Sequence, residues 1–191
     1  MWYRKPNPYN VGAIPSLMKK LEDYVTTIPD FPKEGIMFRD VTTIIQDKDG
    51  FELAIDGLSD CLKDVEYDLI AGSESRGFIF SAPLAYKHNK GLVLFRKKGK
   101  LPREVISQEY DLEYGTATLE VHADSIKPGD RVVIIDDLVA TGGTTLAMIK
   151  MIERLGGTVV KLAFVMELKG LNGRANLAGY DMSSLIEYEG N

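Results

Sequence analysis

Hydrophobic residues follow three different periods along this chain, and each period predicts a different kind of element. The densest apolar block is Val132, Val133, Ile134 and Ile135. Four consecutive β-branched residues fit a short strand covered on both faces, as in a parallel sheet. Residues 68–72, 91–95 and 158–166 read as further, mostly apolar strands, and 184–188 as an edge strand after a short polar helical stretch. Helical spacing at Phe51, Ala54, Ile55, Leu58, Cys61 and Leu62 predicts a helix over 50–62, with Asp49 and Glu52 as its capping box. The same period recurs over 78–86 despite Pro83, and at Leu146, Ile149 and Ile152, where Gly156-Gly157 ends the helix. Leu17, Leu21 and Val25 share one face of a short amphipathic helix over 14–25, stopped by Pro29 and Pro32. Clean alternation marks Thr116–His122, with Ala117, Leu119 and Val121 opposite Thr118, Glu120 and His122. With residues 110–114 this predicts an antiparallel hairpin with one wet face, His122 lying at the surface.

Strand, helix and strand in that order over 68–95 make a βαβ unit, hence parallel strands. The expected fold is α/β: a mainly parallel central sheet flanked by helices, with a flexible antiparallel hairpin and a small hood from terminal segments. Residues 1–13 show no period and read as an irregular arm, leaving 14–191 as a single domain. Residues 28–40 are irregular yet rich in apolar and aromatic side chains, which suits either a cover for the core or a pocket wall.

Composition narrows the classes rather than choosing one. The 191 residues are 45% apolar and 27% charged, with a net charge of −5. That is ordinary globular composition with no global pull toward nucleic acid, so any anionic ligand needs local basic groups. One cysteine excludes an intrachain disulfide framework and suits a reducing, cytoplasmic setting; its place on an apolar stripe makes Cys61 a core thiol. No apolar run is long enough to span a membrane, and the first residues have no signal-peptide core, so no membrane partner is expected.

Chemistry concentrates in 131–145, RVVIIDDLVATGGTT. Asp136 and Asp137 stand where the apolar strand is expected to end, and a turn rich in Thr and Gly leads into the next helix. Successive backbone N–H groups in such a turn, followed by a helix N-terminus, form an anion nest suited to a phosphate monoester. Without a Lys, the turn is not a triphosphate-binding loop. Two carboxylates beside a phosphate nest make sense if they meet another part of the same ligand, such as ribose hydroxyls, or a Mg²⁺ ion through water. A phosphorylated ribose satisfies both halves. Residues 96–109 carry five cations in their first eight positions with Gly99 and Pro102. They read either as a solvated connection or as a loop that closes over an anionic substrate.

Residues 131–145 resemble the phosphoribosyl pyrophosphate signature of the type I phosphoribosyltransferases: an apolar strand, two acids, then a small Thr/Gly loop. Five more segments resemble the adenine branch of that family, in its order: 28–32 (IPDFP), 35–40 (GIMFRD), 75–78 (SRGF), 96–102 (RKKGKLP) and 112–115 (LEYG). The likeness spans about 28–189. It implies conversion of adenine and phosphoribosyl pyrophosphate to AMP and pyrophosphate, with Mg²⁺, by a cytoplasmic homodimer. Residue by residue, it implies that Ala140, Thr141, Gly142, Gly143 and Thr144 bind the 5′-phosphate, and Asp136 and Asp137 the ribose hydroxyls. Ser75 and Arg76 would hold pyrophosphate, joined by Arg96 or Lys100 from a partner subunit. Phe38 and Leu138 would sandwich adenine, with contacts from Met37 and Arg39. Glu113 would be the acid/base, and Arg76 would share the catalytic role. The hypoxanthine–guanine branch carries an acid where this chain has Ala140, which moves the proton-handling role away from this loop and toward Glu113. The competing expectations are a transferase for another purine, such as xanthine or guanine, and a ligand-sensing DNA-binding regulator. The latter lacks a basic DNA-binding region here.

Overall fold

The computed structural model describes residues 19–111 and 115–190. A single 3₁₀ turn, Leu21–Tyr24, leads to β1 (Thr26–Pro29) and β2 (Met37–Asp40), which pair antiparallel as a separate ribbon. α1 (Thr42–Gln46) and α2 (Lys48–Asp60) follow, then β3 (Leu69–Ser73), α3 (Arg76–Lys87) and β4 (Gly91–Lys97). The hairpin of β5 (Val105–Asp111) and β6 (Thr116–His122) precedes β7 (Arg131–Val139), α4 (Gly143–Arg154) and β8 (Thr158–Leu168). The chain closes with the 3₁₀ turn Lys169–Leu171, the short α5 (Gly173–Asn176) and β9 (Met182–Tyr188).

The main sheet runs β5-β6-β4-β3-β7-β8-β9. Its β4-β3-β7-β8-β9 part is parallel, and β6 and β5 continue it antiparallel. The expected α/β class, the βαβ unit and the edge position of β9 are all present. The reason lies in the period of two. On β7, Val132 and Ile134 join the core under α4, whereas Val133 and Ile135 join the core under α2 and α3. All four are fully buried. β8 sorts the same way, Leu162 and Phe164 to one face and Ala163 and Val165 to the other. Because β3 and β7 are neighbours, their following turns open side by side at the carboxyl edge of the sheet, where open α/β sheets bind ligands.

Several expectations need correction. The acid pair does not follow the end of its strand: pairing with β8 carries β7 on through Asp136, Asp137 and Leu138 to Val139. α2 is capped by Asp47, whose carboxylate accepts from the Asp49 and Gly50 amides at 2.9 and 3.1 Å, so the Asp49–Glu52 box does not form its start. Of the helix expected over 14–25, residues 14–18 lie outside the described residues, and 19–25 hold only the Leu21–Tyr24 turn. Val25 is already extended, at the head of a run of β-branched residues. Residues 28–40 hold the end of β1 and all of β2 around an irregular 30–36, and about half of 96–109 is strand. The wet face of the hairpin is drier than alternation implies. Glu120 is 6% exposed, accepts the Gly99 amide at 2.8 Å, and sits beside a half-buried His122. Cys61 packs at the edge of the core, and burial pushes its thiol up.

Candidate active site

Two strand-to-helix turns and the start of the basic loop enclose a polar cavity of about 570 Å³. From β7 and α4 come Asp136 to Thr145, and from the turn between β3 and α3 come Ser73, Glu74, Ser75 and Arg76. Lys97, Lys100 and Tyr110 close the remaining side. The β7–α4 turn depends on Gly142, which has φ +81°, a left-handed conformation that side chains disfavour. From Gly143 the chain is helical, and the Leu146 amide bonds the Gly142 carbonyl. The first N–H groups of α4 have no partner within the helix and so remain free for an anion.

The two acids have different surroundings. Ser73 Oγ donates to Asp136 Oδ2 at 2.6 Å, and the Asp137 amide donates to Oδ1 at 2.9 Å. Burial, reinforced by the neighbouring Asp137, raises Asp136 well above the usual carboxylate range. Asp137 instead receives the Arg76 guanidinium in a direct ion pair. Glu74 is the third acid of the site. Lys100 Nζ lies 2.6 Å from it, the Lys97 amide 3.1 Å and the Arg96 guanidinium 3.4 Å. Led by the Lys100 hydrogen bond, these donors lower its carboxyl to about 2. The Glu74–Ser75 peptide is cis.

A second cavity, of about 480 Å³, adjoins the first and is largely apolar. β2 supplies Met37, Phe38 and Arg39, with Pro32 and Ile36 beside them, and β8 with the turn after it supplies Met166, Leu168 and Leu171. Phe38 is held edge-on by Phe31, with ring centroids 5.1 Å apart. The Arg39 guanidinium lies over the Tyr188 ring, 4.2 Å from its centroid, and donates to Thr27 Oγ1. The Arg39–Tyr188 contact ties the β1-β2 ribbon to β9 of the main sheet. Arg76, Asp137 and Leu138 line both cavities. The combined space therefore suits a ligand with a flat apolar end and an anionic end.

The sequence-derived residues assemble around these two spaces. Asp136, Asp137, Ala140, Thr141, Gly142, Gly143, Thr144, Ser75, Arg76 and Lys100 line the polar cavity; Met37, Phe38, Arg39, Arg76, Asp137 and Leu138 line the apolar one. Arg96 lines neither and binds Glu74. Glu113 lies outside the described residues. Sequence reasoning missed Glu74, Tyr110 and the apolar wall of Met166, Leu168 and Leu171. A carboxylate beside Ser75-Arg76 was a visible signal for the first. The wall residues read only as strand and loop hydrophobics.

The class of protein is given by the family match: the phosphoribosyl transferase domain model matches residues 41–187. The chain is 61% identical over 173 residues to the adenine phosphoribosyltransferase of Lachnoclostridium phytofermentans, covering 91% of this chain and 99% of that one. The crystal structure of adenine phosphoribosyltransferase from Thermoanaerobacter pseudethanolicus superposes with a TM-score of 0.85 at 50% identity, covering 88% and 98% of the two chains. The Saccharomyces cerevisiae enzyme, solved with an imino-altritol bisphosphate and adenine, gives 0.80 at 37% identity, covering 86% and 96%. This chain belongs to the adenine phosphoribosyltransferases, a family of pentosyltransferases.

Proposed function

We propose that the two cavities are the halves of one site, the polar one for phosphoribosyl pyrophosphate and the apolar one for adenine. The chain transfers the 5-phosphoribosyl group to adenine, giving AMP and pyrophosphate, a purine-salvage reaction. The observation that carries the placement is the shared boundary: Arg76, Asp137 and Leu138 stand where the base must meet C1 of the ribose.

In this reading Ala140 to Thr144 hold the 5′-phosphate through amides and hydroxyls. Asp137 meets the ribose hydroxyls, and the buried Asp136 supports it from behind. Phe38 and Leu138 take the two faces of adenine, while backbone groups of Met37 to Arg39 accept from its amino group. Breaking the C1–oxygen bond builds cationic charge on the ribose and negative charge on the leaving pyrophosphate. Ser75, Arg76 and Lys100, with Arg96 or Lys100 of a second subunit, absorb the latter, an electrostatic contribution usually among the larger ones. Proton handling at the base falls to Glu113, worth about 10²–10⁴-fold for a positioned carboxylate. Closure of 96–114 keeps water from C1.

Mg²⁺ fits this donor set only as a passenger of the substrate. Among the described residues no group of three or more metal-ligating side chains converges, both Asp136 oxygens are bonded, and Asp137 pairs with Arg76. Asp137 would meet such an ion through water, and the ion would neutralise charge on the diphosphate. The homodimer is part of the same proposal, since a second subunit is what would bring the further Arg96 or Lys100 to the pyrophosphate. The lone half-buried Cys61 suits the cytoplasm, and no helix among the described residues is long and apolar enough to cross a membrane. The test is a base panel with phosphoribosyl pyrophosphate and Mg²⁺. Adenine is the expected preferred acceptor, and preference for hypoxanthine, guanine or xanthine overturns the assignment of the apolar cavity.

A further inference from the structure

The β7–α4 turn is held from behind by a segment that no part of the proposed reaction uses. Asn176 Nδ2 donates to the Thr141 carbonyl at 2.9 Å. Gly173 packs so closely that a Cβ there would lie 2.3 Å from the Ala140 carbonyl oxygen. Leu177, 2% exposed, fills the space beside Gly142. This support is itself anchored. The Arg174 guanidinium forks onto Glu167, which is 3% exposed on β8 and also accepts Ser184 Oγ from β9 at 2.8 Å. α5 thereby fastens the turn to the two outer strands of the sheet.

Geometry gives the strap a consequence. In a planar trans peptide the carbonyl and the following N–H point in opposite directions. Asn176 is not among the residues that line the polar cavity; it lines an adjoining cleft with Leu146 and Lys150, and Thr141 and Gly142 face both spaces. Drawing the Thr141 carbonyl toward Asn176 turns the Gly142 N–H away from it, and Gly142 is one of the residues that line the polar cavity. We infer that Asn176, carried by the α5 strap, is a positioning residue for the 5′-phosphate: it orients the amide nest without touching the ligand. The inference rests on the phosphate role proposed for residues 140–144.

The experiment measures binding of ribose 5-phosphate and of pyrophosphate separately, together with steady-state constants, for the full chain and for Asn176→Asp, Asn176→Ala and Thr144→Val. Asp keeps the shape of Asn but cannot donate when ionised. Both Asn176 variants are expected to weaken ribose 5-phosphate about fivefold to tenfold, as for one lost hydrogen bond. KM for phosphoribosyl pyrophosphate should rise in step, while pyrophosphate affinity and KM for adenine stay within about twofold. Equal losses for ribose 5-phosphate and pyrophosphate mean general loosening and overturn the inference. Loss in Thr144→Val without loss in either Asn176 variant overturns it while sparing the phosphate assignment. No loss in any variant overturns both.

Discussion

Two turns on neighbouring strands meet the same cavity with opposite chemistry. The turn between β3 and α3 offers charged side chains, Glu74 and Arg76, with Lys97 and Lys100 drawn in across the gap. The turn between β7 and α4 offers Thr hydroxyls and backbone N–H groups, and no basic side chain. Under the proposed assignment, the leaving pyrophosphate at the first turn gains charge during reaction and benefits from strongly charged partners. The 5′-phosphate proposed for the second turn keeps its charge and needs only to be held, which fixed amides do without drawing further cations into the site. The division also explains why one turn contains a carboxylate. Glu74 neutralises Lys100 and Arg96, which otherwise repel one another.

The comparison can be broken most sharply at Arg76. Arg76→Ala is expected to lower kcat/KM by roughly 10²–10³-fold, the scale for one lost charge-stabilising group. Arg76→Lys should recover only part, because an ammonium cannot reproduce the guanidinium fork. Steady-state kinetics checks both, and a loss below tenfold in Arg76→Ala removes Arg76 from the leaving-group role. Next in size is Gly142→Ala. Its φ costs about 1–2 kcal/mol in an L-residue, and the added Cβ would meet Leu177 at 3.1 Å and the Gly173 carbonyl at 3.2 Å. Ribose 5-phosphate affinity should fall about tenfold with pyrophosphate affinity little changed; equal losses would mean that the two turns do not divide the work.

Smaller effects separate the acids. Glu74→Gln releases Lys100 and Arg96 from their carboxylate and should tighten pyrophosphate binding roughly twofold to fivefold, the worth of one partly exposed ion pair. Its pH signature has a definite sign. The folded Glu74 carboxyl, at about 2, lies below its ordinary 4.5. Its contribution to stability is complete above 4.5 and is lost as pH falls toward 2. The Tm advantage of the native chain over Glu74→Gln should therefore shrink across that window, and a constant difference would contradict the pairing. Asp136 runs the other way. A carboxyl raised by burial costs stability as pH climbs above the ordinary 3.8. Asp136→Asn should thus gain on the native chain from about pH 4 upward, by about 2–4 °C for each 1 kcal/mol. A Tm gap that stays flat with pH would show that Asp136 is not held protonated by its burial.

Much of this molecule was legible from residue order because the signals were local. Val132 to Ile135 announce a central strand by their period, and Ala140 to Thr144 announce a tight strand-to-helix turn by their size and glycines. Residues whose partners lie far off in the chain were harder to read. Glu74 stands visibly beside Ser75-Arg76, but it meets Lys97 and Lys100 only once β3 and β4 pair side by side, so neither period nor motif could reveal those partners. Met166, Leu168 and Leu171 look like ordinary strand and loop hydrophobics until the β1-β2 ribbon folds over them. Asp136 and Asp137, adjacent and chemically alike, are told apart only by Ser73 and Arg76 arriving from β3 and α3.

By itself, then, the sequence determined the α/β class, the parallel βαβ core and the Thr- and Gly-rich turn after its central strand, since these depend on periods and on contacts between near neighbours. The tertiary structure alone decided what partners each of the two buried carboxylates, which cations are already paired, and that Asn176 stands behind the β7–α4 turn. Those outcomes depend on desolvation and on charges brought together across the sheet, and no stretch of residues read in order carries that information.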